Sequence, residues 1–239
     1  MVTSTSAIVL SKIRYKDNDM IVKSFTKEYG AISFIVRGRQ NSKKNKIKYV
    51  YFQELTILEI QFNYNSKRDL QYIKDIEIKH NYISSHTDLV KMSVIMFLSE
   101  VLTNIITHQK REIQLYNYIE QSLIWYDINK SNAYFHMIFL LELTRYLGFY
   151  PDLLNNKLKY FNLEGGSYEK SKTSEYSITG DSLNLFNQTL GIKFDTNPLP
   201  TLNSKDKIEI IDIILTYYKL HINNFKPIKS LEIVKNIFS

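Results

Sequence analysis

The 239-residue chain contains no cysteine. That absence excludes disulfides, iron–sulfur clusters, cysteine nucleophiles and thiolate zinc sites. Long apolar runs are missing as well. The longest, Val94–Leu98 and Met137–Leu141, are far too short to cross a bilayer. Met1–Ser6 is short and polar rather than a basic-plus-apolar export signal, so a soluble, cytoplasmic protein is expected. The sequence also lacks GxxxxGK[ST], a GxGxxG after a strand, HExxH and GxSxG. Its five histidines, His80, His86, His108, His136 and His221, have no metal-ligand spacing and read as surface or packing residues. Asp17 and Asp19 flank Asn18 in a turn between strands, where such side chains bond the backbone. The expectation is a protein that is not an enzyme, with no catalytic residue, metal or cofactor.

Acid is absent from one place where its absence matters. Between Arg37 and Lys48 stand Arg37, Arg39, Lys43, Lys44, Lys46 and Lys48, with no Asp or Glu among them. The chain as a whole carries +7, and 44% of it is hydrophobic, enough for a packed core. Residues 1–79 hold 15 Lys/Arg against 8 Asp/Glu, while residues 80–239 hold 16 of each. The entire excess lies in the first third, a bias that points to a polyanionic partner.

The local pattern changes at the same place. Ser6–Lys12, Met20–Thr26, Ala31–Arg37, Phe52–Phe62 and Leu70–Ile76 are rich in β-branched and aromatic residues and read as short strands. No helix-length segment joins them, so a small barrel fits better than a parallel sheet. Beyond Ser84 the period becomes helical. Ser85-His86-Thr87-Asp88 has capping-box spacing and opens a helix running to about Thr107. Further helices are expected over Leu115–Tyr126, Ser131–Leu147, Leu183–Leu190, Lys205–Ile222 and Ser230–Phe238. The fold class is therefore α+β, with a barrel domain over 1–79 and a helical domain over 80–239. A loop or hairpin around 160–175, carrying Gly165-Gly166, is inserted in the latter.

In strand Ala31–Arg37, alternation turns Ile32, Phe34 and Val36 inward and Ser33, Ile35 and Arg37 outward. Arg37 beside a lysine-rich loop makes a surface suited to tracking phosphates. An ordinary solvated loop is the plainer reading; the neutral remainder of the chain favours nucleic acid. Phe25, Tyr29, Tyr49 and Tyr51 lie near the basic cluster and are candidates for stacking on bases, although small barrels also fill their interiors with such side chains.

Three stretches together resemble the RecO recombination-mediator family of bacterial DNA repair. They are Phe25–Gly30 (FTKEYG) followed by Val36-Arg37-Gly38, then Tyr146–Pro151 (YLGFYP), then Lys226–Glu232 (KPIKSLE). Ala7–Leu10 and Tyr15–Asp19 resemble the family's opening strand and acidic turn. The resemblance implies an N-terminal five-stranded OB-fold barrel and a C-terminal all-helical domain. It also implies binding of single- and double-stranded DNA, annealing of complementary strands, and work with RecR to load RecA onto DNA coated by single-strand-binding protein. No nucleotide is hydrolysed in that role, and a bacterial, nucleoid-associated location follows from it. For DNA contact it suggests Arg37 with Arg39, Lys43, Lys44, Lys46 and Lys48, and more weakly Arg14 and Lys23. Many members carry a cysteine zinc motif near Tyr160–Tyr168; with no Cys, this chain is expected to bind no zinc there. The site for the tail of single-strand-binding protein is unassigned, with Lys110, Arg111 and Arg145 as candidates. The alternatives are an RNA-binding OB-fold protein of translation or RNA processing, and a protein adaptor that meets an acidic partner.

If six cations of the basic segment touch phosphates on a single strand, log K falls against log salt with a slope of about −4, at roughly −0.7 per contact. Replacing all six with Gln is expected to abolish DNA binding and leave the helical content unchanged. A slope near zero at low salt contradicts the assignment.

Overall fold

β-Branched and aromatic residues dominate the first third, and they build five strands. These are β1 (Val2–Tyr15), β2 (Asp19–Thr26), β3 (Gly30–Val36), β4 (Ile57–Asn63) and β5 (Leu70–Ile78). The structure is a computed structural model that describes residues 2–16, 19–37 and 49–238. The strands close in the order β1-β2-β3-β5-β4, and β4 returns to β1. Every pairing is antiparallel except β3 with β5, which run parallel. This five-stranded closed topology is that of an OB-fold. Ile32, Phe34 and Val36 face the barrel core, as alternation requires, and meet Val22, Leu58, Ile60 and Phe62 there.

The first strand, at 14 residues, is twice the expected length because it serves two partners. Residues 2–8 pair with β4 and residues 7–15 with β2, with a register shift between Val9 and Ser11. The polar start Val2–Ser6 holds its place through hydroxyls: Ser4 and Ser6 both donate to Glu59 across the ladder, at 2.7 and 2.8 Å. The shift leaves the Leu10 carbonyl outside the ladder, as bulges do. It accepts from Ser99 and from Thr103, the latter at 3.2 Å. The strand expected from Phe52 begins only at Ile57. A 3₁₀ turn at Tyr49–Phe52 and a left-handed Leu55 (φ 56°) intervene, and the Leu55 amide donates to the Val9 carbonyl at 2.8 Å.

Helices follow: α1 (Leu89–Ile105), α2 (Ile113–Ile128), α3 (Phe135–Leu147), α4 (Gly180–Thr189), α5 (Ser204–His221) and α6 (Leu231–Phe238). The cap of α1 is Asp88, whose side chain accepts from the Lys91 amide at 3.0 Å, rather than Ser85. The third helix begins at Phe135 rather than Ser131, because Asn132 closes a local turn by accepting from the Tyr134 amide. Where the sequence suggests a loop or hairpin lie three short strands, β6 (Tyr160–Asn162), β7 (Ser167–Glu169) and β8 (Ser177–Thr179), ordered β7-β6-β8. Two compact units result, Met1–Ser131 with Ile228–Ser230, and Asn132–Pro227 with Leu231–Ser239. Among the described residues no helix is long and apolar enough to cross a membrane.

In the first unit two buried charged side chains tie the segment before α1 to the end of α2. The Asp127 carboxylate accepts from the amides of Ile83, Ser84 and Ser85 at 2.8–2.9 Å. The Lys91 amine donates to the carbonyls of Tyr126 and Asp127, at 2.7 and 2.9 Å, where the final turn of α2 leaves acceptors without helical partners. Burial opposes the charge on each group. For Asp127 the three amide bonds outweigh burial and hold the carboxyl at about 2. For Lys91 burial wins and lowers the amine below its ordinary value.

The folded value for Asp127 lies below the ordinary carboxyl value, so its stabilisation is present above about pH 4 and is lost as pH falls towards 2. Asp127→Asn is expected to cost about 2 kcal/mol at neutral pH. Thermal unfolding followed by circular dichroism checks this. The gap between variant and wild type should narrow as pH drops from about 4 towards 2.

Candidate nucleic-acid interface

The same alternation that fills the barrel sets its outer face. One cross-strand row there runs Ile13–Ile21–Ile35–Tyr72, through the pairings of β1 with β2, β2 with β3 and β3 with β5. Its two ends are open to solvent: Ile13 is 60% exposed and Tyr72 43%. Arg37, exposed at the end of β3, places its guanidinium 5.2 Å from the centre of the Tyr72 ring. Arg68, in the turn between β4 and β5, places its own 5.8 Å from the same ring. Two arginines from different parts of the chain thus converge on one aromatic side chain.

The turn that carries Arg68 is fixed from inside the barrel. Gln71 is 2% exposed, and its side-chain amide donates to the carbonyls of Asn65 and Arg68 at 2.9 and 2.8 Å. Its side-chain oxygen accepts from the Asn65 amide at 3.0 Å, and the Asn65 side chain in turn accepts from the Lys67 amide at 2.9 Å. A buried side chain thereby holds the turn, and its outward neighbour, Tyr72, receives the guanidinium that the turn presents. Lys67 and Lys74 are exposed on either side, as are the acids Asp69 and Asp75, so the cation excess in this stretch is small.

The residues expected to meet DNA are placed differently from one another. Arg14 is exposed, and the register Arg14–Met20–Val36 puts it at the same end of the barrel as Arg37. Lys23 is half-buried, and its amine donates to the Thr103 carbonyl of α1 at 3.0 Å. Arg39, Lys43, Lys44, Lys46 and Lys48 lie outside the described residues, as do Asp17 and Asn18. Of the aromatic candidates, Phe25 is buried against Tyr116 with ring centres 5.6 Å apart. Tyr29 packs on Phe62 and Tyr64, and Tyr51 on the barrel core; the Tyr49 side chain lies outside the described residues. Arg68 and Tyr72 stand apart from the basic run and are not among the sequence candidates. Alternation within Leu70–Ile76, which sets Gln71 and Tyr72 on opposite faces, carries the signal that finds Tyr72.

The stretches that carry the family resemblance have structural work of their own. The Thr26 hydroxyl donates to the Gly30 carbonyl at 2.8 Å and accepts from the Tyr29 amide at 3.2 Å. Gly30 has φ 69°, and a Cβ there would lie 2.4 Å from backbone atoms of Lys110. Gly148, at φ 84°, ends α3, and the Phe149 amide donates back to the Thr144 carbonyl at 3.0 Å. The amides of Lys229 and Ser230 and the Ser230 hydroxyl donate to the Glu100 carboxylate at 2.7–2.9 Å. Burial opposes ionisation of Glu100, yet these bonds outweigh it and hold the carboxyl below its ordinary value. In the β6–β7 turn the Asn162 side chain accepts from the amides of Glu164 and Gly165, at 2.9 and 3.3 Å. Among the described residues no group of three His, Cys, Asp or Glu side chains is arranged to hold a metal.

An OB-type barrel followed by helices belongs to a class of architecture whose members bind oligonucleotides or oligosaccharides, and an exposed cationic and aromatic cluster on its wall suits the former. Comparison with known proteins narrows it. The family model described as Recombination protein O N terminal matches residues 1–82, and Recombination protein O C terminal matches residues 86–232. The DNA repair protein RecO of Flavobacterium psychrophilum is 37% identical over 239 residues, covering all of both chains. The proteins of the same name from Christiangramia forsetii and Bacteroides fragilis are 36% and 31% identical, again over full length. The chain belongs to the RecO family of DNA repair proteins.

Gly30→Ala is expected to destabilise the protein by about 1–3 kcal/mol, since it combines a left-handed backbone with an occupied space. A lowered thermal midpoint by circular dichroism checks this. Arg68→Gln, on an exposed turn, should leave that midpoint within about a degree of wild type and weaken oligonucleotide binding.

Proposed function

We propose that the protein is a non-enzymatic mediator of DNA repair and recombination that binds single- and double-stranded DNA and anneals complementary strands. With RecR, it promotes loading of RecA onto DNA coated by single-strand-binding protein. Residues 1–79 act as the DNA-binding domain and residues 80–239 as the helical domain that meets proteins, in the bacterial cytoplasm at the nucleoid. One observation carries the reading: in a RecO-family chain, the Arg37 and Arg68 guanidiniums gather over the exposed Tyr72 ring on the outer face of an OB-type barrel. The charge excess of residues 1–79 supports the same surface.

Annealing needs no group that makes or breaks bonds. Cations along one face lower the repulsion between two phosphate backbones and hold the strands close while bases pair. Arg14, Arg37 and Arg68 supply such charge from three different strands and turns, and the basic segment Arg39–Lys48 adds to it from the stretch after β3.

Complementary single strands precoated with single-strand-binding protein provide the test. The protein should speed their annealing without added nucleotide, and the rate should fall as salt rises. A variant with Arg37, Arg39, Lys43, Lys44, Lys46 and Lys48 replaced by Gln should lose the activity. Annealing no faster than the uncatalysed rate at low salt would contradict the proposal.

A further inference from the structure

The cluster around Tyr72 does more than collect positive charge, because phosphate binding alone does not require an aromatic ring. Tyr72 is 43% exposed on the wall of a barrel in which Phe34, Phe52 and Phe62 are fully buried. Its ring lies in line with Ile35, Ile21 and the 60%-exposed Ile13, so the outer face offers a continuous apolar row ending in a π surface. Guanidinium groups stand 5.2 and 5.8 Å from that ring, and guanidinium planes themselves stack on bases.

We infer that Tyr72 is a stacking platform for an unpaired base, which takes the place over the ring that the Arg37 and Arg68 guanidiniums hold in the free protein as those two side chains turn to the neighbouring phosphates, and that it gives this face a preference for single-stranded over duplex DNA. The inference rests on the proposed DNA-binding role of the barrel. A base in a duplex keeps its faces against its neighbours and cannot lie on Tyr72, whereas its phosphates remain available to the arginines. The ring therefore favours single strands, and the cations serve both forms. The plain alternative is an exposed cation–π cluster that serves the fold alone.

The test uses the full chain, an oligothymidine and a hairpin duplex of equal phosphate count, with affinities read by fluorescence anisotropy across a salt series. Tyr72→Ala should weaken oligothymidine binding by roughly 5- to 100-fold, leave duplex binding within about twofold, and keep the salt slope unchanged. Tyr72→Phe and Tyr72→Trp should retain wild-type affinity, and the Trp variant should show fluorescence quenching on binding oligothymidine that the wild type lacks. Arg37→Gln should instead lower both affinities and flatten the salt slope. Equal weakening of both forms by Tyr72→Ala, or none, with wild-type binding intact, would overturn the stacking role alone. No binding of either form by the wild type would overturn the DNA-binding reading and this inference with it.

Discussion

The parallel pairing of β3 with β5 is the constraint on which the candidate surface depends. Antiparallel neighbours can be joined by a turn, but a parallel pair must be brought together by the rest of the fold. Here β4 intervenes in sequence, pairs with both β1 and β5, and delivers β5 to the far edge of β3. Among the described residues three pairs form, Ser33 with Leu70, Phe34 with Gln71 and Ile35 with Tyr72, and they close the barrel. They also set Tyr72 beside Arg37. Without that register the two side chains, far apart in sequence, would have no reason to meet.

Closure is supported from both sides of the wall. Inside, Phe34 and Phe62 meet edge to face at 5.2 Å, and Gln71 directs its polar groups to the β4–β5 turn. At the bulge in β1, the Leu10 carbonyl that the ladder cannot use is taken by Ser99 and Thr103 of α1, while Lys23 reaches the Thr103 carbonyl. The barrel and α1 are thus joined through backbone groups that strand pairing and helix bonding leave over. A second set of bonds, from Lys91 and to Asp127, fixes α1 against α2.

Much of the barrel was legible because alternation is a local signal: Ile32, Phe34 and Val36 could be turned inward from the sequence of a single strand. Element ends were less legible, since they depend on partners distant in the chain. Val2–Ser6 becomes strand through Glu59, and Phe52–Thr56 leaves the strand through Val9. The candidate site divided along the same line. Arg37 is legible from its own strand, whereas Arg68 and Tyr72 become a site only through barrel closure. Lys23, basic and near the cluster, is half-buried with its amine turned to α1, which no local pattern reveals.

In the proposed role, DNA lies on the outer face of β2, β3 and β5 at the Arg37–Tyr72 end. Amide hydrogen exchange of the full chain, with and without a saturating single-stranded oligonucleotide, locates that face directly. Added protection should appear in the β4–β5 turn around Arg68 and at the ends of β3 and β5. Protection confined to residues 132–227, with those barrel segments unchanged, would contradict the claim.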